Sequence, residues 1–143
     1  MDLLQAYQLA ARLHCNQLDK AGRPYIEHLT RVLLRVQARG GDLGQQVAAL
    51  LHDAIEDGKA SAEQLMWVGV PAETISTIKI LTKRKGQTYE DYLAVVKGNP
   101  EALLIKLADL DDNKDPARLA ALPEVVTQRL RTKYERAAMF LAA

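Results

Sequence analysis

The chain has 143 residues, 48% of them apolar, and its 19 basic residues against 18 acidic ones leave a formal charge of +1. That length carries one core and not two comfortable domains, and the near-neutral balance provides no bulk field for a nucleic-acid polymer or an anionic membrane. The single cysteine, Cys15, excludes an intrachain disulfide and a thiolate-rich zinc cluster, leaving histidine and carboxylate as metal ligands.

The opening MDLLQAYQLAARLH has an acid at its second position and polar interruptions, so it matches neither a signal peptide nor a spanning helix. A soluble cytoplasmic protein is expected. Leu3, Leu4, Tyr7, Ala11, His14 and Leu18 recur at helical spacing until Ala21-Gly22-Arg23-Pro24 breaks the pattern. A second helix is predicted from about Pro24 to Arg39, with Tyr25, Leu29, Val32, Leu33 and Val36 on one face and Gly40-Gly41 as its stop. A third begins near Leu43 and runs to Gly58.

Ser61 with Gln64 and Thr88 with Asp91 read as N-cap pairs opening two further helices, and Pro71 opens another through the β-branched stretch Thr74–Leu81. Asn99-Pro100 starts a helix through about Asp112. Pro123 opens the last, with Val126, Leu130, Tyr134, Ala137 and Leu141 inward. The sum is an all-α domain of six to eight helices over residues 1–143, without repeats or linkers.

In the third helix, Val47, Ala48, Ala49, Leu50 and Leu51 cover the whole circumference, which marks a buried turn. The next turn brings His52, Asp53, Glu56 and Asp57. An ionised carboxylate sunk this deep needs a cleft, a proton or a cation; a helix emerging into solvent would show the same four groups as its polar end. His28 lies beside the inward stripe of the second helix. The helix from Asn99 repeats the pattern of the third, an apolar circumference followed by Asp109, with Lys106 and Asn113 on the same face.

Two imidazoles and two carboxylates, His28, His52, Asp53 and Asp109, suit a divalent ion with open positions. Mixed N and O ligation points to Mn2+, Fe2+ or Mg2+ at least as much as Zn2+. Glu56 and Asp57, one turn on, are placed to orient or deprotonate a water. Lys83 and Arg84, in Thr82-Lys83-Arg84-Lys85-Gly86, form the densest positive patch and suit outer phosphates, as does Lys106. A solvated turn, or a lysine stem lying over core surface, is the plainer reading of the same residues.

Four stretches, AARLHCNQLDKAGRPYIEH (Ala10 to His28), LLHDAIED (Leu50 to Asp57), Leu81-Thr82 before a basic loop, and IKLADLDDN (Ile105 to Asn113), resemble the HD-domain metal-dependent phosphohydrolases. The likeness is greatest to the hydrolase domain of RelA/SpoT-type enzymes and the stand-alone small alarmone hydrolases. The resemblance implies a helical HD fold, Mn2+ held by His28, His52, Asp53 and Asp109, and a water assisted by Glu56 and Asp57. It also implies substrate contact at Lys20, a sugar contact at Asn113, and hydrolytic removal of the 3′-pyrophosphate from guanosine tetra- or pentaphosphate. For His14 it implies packing alone.

The chain departs from the family pattern at Asp19, where a guanine-stacking arginine is usual, and at Leu29, Leu110 and Pro116. Asp19 does not stack as a planar cation. Two other functions therefore stand beside alarmone hydrolysis: the same chemistry on another nucleotide phosphoester, or a nucleotide-binding regulatory module without catalysis. The expected partner is a small nucleotide, a homo-oligomer is left open, and no synthetase domain fits in this length.

Overall fold

The computed structural model describes residues 1–143, and it contains nine helices: α1 (Leu3–Leu13), α2 (Tyr25–Ala38), α3 (Leu43–Leu51), α4 (Ala62–Trp67), α5 (Ala72–Ile80), α6 (Tyr89–Lys97), α7 (Pro100–Asn113), α8 (Pro116–Ala120) and α9 (Glu124–Ala142). There are no sheets, only one isolated bridge between Leu18 and Pro24. The starts are set locally. Asp2, Asp42 and Ser61 each accept a hydrogen bond from the backbone N–H three residues on, and Gln5, Gln45 and Gln64 return one to the cap. Asn99 caps α7 ahead of Pro100.

α5 forms despite its β-branched residues because burial of Ile75 and Ile78 outweighs propensity, while the Ser76 and Thr77 hydroxyls bond back to Ala72 and Glu73 carbonyls. α2 ends where Gly40 takes φ +79° and the Gly41 N–H reaches the Val36 carbonyl.

α3 is the central element. It packs against α1, α2, α5 and α7, which is why Val47, Ala48, Ala49, Leu50 and Leu51 are all buried. Its short Ala48 and Ala49 side chains let neighbours approach, and each fully buried leucine contributes roughly 1.5–3 kcal/mol. α6 and α9 close over the other side of α7, with α8 against α9. One core of 26 buried residues runs through the molecule.

Four expectations change. The first helix stops at Leu13, not Leu18, and its buried stripe is Ala6, Leu9 and Ala10; Leu4 and Leu18 are exposed. The chain turns at His14 because the segment after it folds into its own hydrogen-bonded loop, with Asp19 N–H to Arg23 carbonyl and Tyr25 N–H to Gln17 carbonyl. The third helix stops at Leu51, and 52–58 is a run of turns. α8 is a ninth helix, one turn long and therefore too short to show a periodicity. In α9 Thr127, not Val126, is fully buried, because its hydroxyl donates to the Leu119 carbonyl at 2.6 Å.

Candidate metal centre

His28, His52, Asp53 and Asp109 converge from α2, the end of α3 and α7. One ligand-type atom from each lies within 4.8 Å of all the others. His28 Nε2 is 3.1 Å and His52 Nε2 3.3 Å from Asp109 Oδ1, and His52 Nε2 is 3.2 Å from Asp53 Oδ2.

The end of α3 explains how His52 is aimed. In a continuing helix the Ala49 carbonyl would accept the Asp53 amide; here the helix has stopped, Ala54 N–H bonds Leu51 in a tighter turn, and the Ala49 carbonyl accepts the His52 Nδ1 proton at 2.7 Å. On His28 the same task falls to Asp112, whose Oδ2 lies 2.6 Å from Nδ1. Both Nδ1 atoms thus face acceptors, and both Nε2 atoms face the carboxylates of Asp53 and Asp109. The facing oxygens demand a proton on each Nε2 or one shared cation.

The electrostatics express this demand. Burial lowers the His52 pKa, but the Asp53 charge and the Asp109 hydrogen bond override it and raise it to about 9. Burial likewise opposes charge on His28, and its bonds to Asp109 and Asp112 raise it. Asp109 would be raised by burial; the Lys106 charge and the two histidines hold it well below the usual carboxylate range. Lys106, 3.0 Å from Asp109 Oδ2, is held well above its ordinary value by that carboxylate against its own burial.

Two imidazole nitrogens and two carboxylate oxygens, with Nδ1 of each histidine already committed, fit a divalent ion of N/O preference. Cys15 is exposed on the loop after α1 and takes no part.

With His52 buried directly behind them, His28, Asp53 and Asp109 line a cleft of about 830 Å³. Glu56 and Asp57 line it, but from a turn and not as continuing helix residues at i,i+4. Glu56 Oε1 accepts the Lys83 N–H at 2.6 Å, which ties the basic loop to the cleft edge. Its pKa is raised, chiefly by burial and against the Lys83 hydrogen bond. Asp57 Oδ2 accepts from Gln17 Nε2 at 2.9 Å.

Lys20, Lys83, Lys106 and Asn113 also line the cleft, whereas Arg84 does not. Its N–H bonds Gln87 and it is exposed beyond the rim.

Several contributors escaped the sequence reading. Tyr25 donates its hydroxyl to Asp53 Oδ2 at 2.5 Å, and burial followed by the Asp53 charge raises its pKa, so it stays a donor. Asp112 is 0% exposed and also accepts from Arg31 and Arg118. Tyr89, Tyr92, Lys133 and Tyr134 form the far wall.

Asp19 has a structural role: Oδ1 accepts the Ala21 and Arg23 amides and Oδ2 faces Arg118 at 3.3 Å. Asp112 and Tyr25 carried a weak signal, an acid one turn past Asp109 and a tyrosine one turn before His28. The others are set by tertiary contact.

A buried His/Asp cluster joining three helices of an all-α domain is the arrangement of an HD-type metal site, and residues 6–88 match the family described as "HD domain". The chain belongs to that family.

It is 32% identical over 119 residues to the guanosine-3′,5′-bis(diphosphate) 3′-pyrophosphohydrolase of Aquifex aeolicus, covering 78% of this chain and 17% of the relative. It is 33% identical over 122 residues to the bifunctional (p)ppGpp synthase/hydrolase SpoT of Escherichia coli, again covering 78% and 17%. The chain thus spans under a fifth of the length of these curated relatives. A solved structure described as a metazoan ortholog of SpoT that hydrolyzes ppGpp and plays a role in starvation responses superimposes with a TM-score of 0.76 at 29% identity. That match covers 97% of this chain and 82% of the other. No helix is long and apolar enough to cross a membrane.

Proposed function

We propose that residues 1–143 form one HD phosphohydrolase domain that removes the 3′-pyrophosphate of guanosine 3′,5′-bis(diphosphate)-type alarmones in the cytoplasm, with Mn2+ held by His28, His52, Asp53 and Asp109. The observation that carries this reading is the convergence of four ligand-type atoms within 4.8 Å, three of their residues lining a cleft that Lys20, Lys83 and Lys106 also line. The names of the relatives supply the substrate class. A divalent ion held by these four residues would supply a lowered water pKa and polarisation of a phosphoryl oxygen.

The chain's own side chains supply the rest. Glu56 and Asp57 orient the attacking water and take its proton, and the raised Glu56 pKa brings that carboxyl nearer to a base useful at neutral pH. Lys20 and Lys83 hold the outer phosphates. Asn113 reaches the sugar. Lys106 keeps Asp109 ionised and oriented, with its ammonium also over the Tyr92 ring at 5.4 Å from the centroid.

Purified chain with Mn2+ releases pyrophosphate from guanosine tetraphosphate, and chelation stops it; a nucleotide panel left entirely intact contradicts the reading. Asp19 favours a second one, the same chemistry on a nucleotide with another base, because its carboxylate is committed to the loop and to Arg118 and offers no stacking cation. Adenine counterparts in the same panel separate the two.

A further inference from the structure

His14, Gln17 and Asp57 form a hydrogen-bonded line from the end of α1 to the cleft, and it has a definite polarity. A carboxylate only accepts, so the nitrogen of the Gln17 amide faces Asp57 Oδ2, at 2.9 Å. The amide oxygen is then left facing His14 Nδ1, at 2.6 Å, and since that oxygen donates nothing, Nδ1 carries the proton.

His14 is 2% exposed and stacked on Tyr25 with ring centroids 5.2 Å apart. Its Nε2 is the one buried side-chain nitrogen or oxygen in the protein without a hydrogen-bond partner. Packing against Tyr25 does not call for a nitrogen, and an aromatic hydrocarbon would fill the place without an unpaired polar atom. What the imidazole adds is the Nδ1 proton.

Gln17 is anchored at both ends. Its N–H bonds the His14 carbonyl and its carbonyl accepts the Tyr25 N–H, so the backbone is fixed while His14 fixes the amide plane. Asp57 sits on the exposed turn after α3, and Gln17 makes the only hydrogen bond to its side chain.

We propose that Gln17, locked by His14, is a positioning residue for Asp57, holding this carboxylate in the orientation from which it assists the attacking water. This inference rests on the proposed hydrolysis. It assigns His14 a part in the site that packing alone does not give it.

The test uses Gln17→Met, which keeps the volume and loses both hydrogen bonds, Gln17→Glu, which replaces the donor with a repelling oxygen, and His14→Phe, which keeps the stack. All are compared with the unsubstituted chain in Mn2+ and guanosine tetraphosphate. Both Gln17 variants are expected to lose about tenfold in kcat, with KM and Mn2+ affinity within about twofold. His14→Phe should add nothing once Gln17→Met is present, the non-additivity of groups acting through one another.

An independent readout needs no activity. The 15N shifts of the His14 imidazole in metal-free protein should show Nδ1 protonated and Nε2 bare, a preference lost in Gln17→Met. A Gln17→Met kcat within about twofold of the unsubstituted chain overturns the proposal, and so does an Nε2-protonated His14. An inactive unsubstituted chain refutes the hydrolase reading instead, and the imidazole shifts still decide whether the line of hydrogen bonds exists.

Discussion

The Nδ1 atom of His28 and the Oδ2 atom of Asp112 stand 2.6 Å apart in a setting where Asp112 has no exposure at all. Arg31 and Arg118 complete the coordination of this carboxylate, at 2.8 Å each, so it is ionised and fixed before it orients the imidazole. Burial alone would raise its pKa, and the His28 and Arg31 hydrogen bonds bring it below the ordinary value. Asp112→Asn keeps the volume but removes the charge-assisted acceptor. It should weaken divalent-ion binding by roughly 10- to 100-fold, read by metal titration calorimetry, with the helical content unchanged.

Asp109 and Lys106 constrain each other. Removing the carboxylate strands an ammonium in the interior, so Asp109→Ala should abolish metal binding and also destabilise the fold by roughly 3–5 kcal/mol in denaturant titration. Adding Lys106→Met should recover most of that stability and none of the metal binding. Recovery of both would place the ion elsewhere.

If His52 is a ligand, its raised pKa would make metal uptake depend on pH. Its folded value, about 9, lies above the ordinary 6.5. In metal-free protein the proton therefore contributes stability that is fully present below pH 6.5 and lost as pH rises through about 9. An ion held by His52 would compete for the same Nε2. Binding should release protons in this window, and apparent affinity should climb from pH 6.5 towards 9, as measured in buffers of different ionisation enthalpy. A pH-independent affinity would show that His52 is no ligand.

Gly41 tests the fold away from the cleft. A Cβ there would collide with Val36 Cγ1, between the end of α2 and the start of α3. Gly41→Ala should cost about 1–3 kcal/mol. Val36→Ala in the same chain should recover part of it, as read by thermal denaturation.

The clustering of His52, Asp53 and Asp109 was legible because its signal is local: an apolar circumference interrupted by His52-Asp53 and again by Asp109 needs no knowledge of neighbours. The helix starts were legible for the same reason, since a capping pair such as Ser61 and Gln64 acts within four residues. The end of α3 was not. His52, Asp53, Glu56 and Asp57 have the spacing of a helix, and only the seating of Val47–Leu51 among four other helices shows where regular hydrogen bonding stops. Asp112, Tyr25, Arg118 and the His14–Gln17 pair act through bonds that join distant parts of the chain, and periodicity carries no information about those. Arg84 failed for a related reason, because charge density marks the loop and not the direction of each side chain. Asp19 read as a departure from base stacking, and its two backbone acceptor bonds, which periodicity does not reveal, add a role as brace for the loop entering α2.

The candidate ligands are separated along the chain by 81 residues between His28 and Asp109 and by 57 between His52 and Asp109. A bound ion would therefore be a clasp closing two long loops, one that the unfolded chain has no preformed means of fastening. At free concentrations a thousand times its dissociation constant it would add about 4 kcal/mol to the folding equilibrium. Melting temperature would then rank candidate ions without any substrate. In a cell short of the right ion, the same chain would be both idle and closer to unfolding, so metal supply would set how long the protein lasts as well as how fast it works.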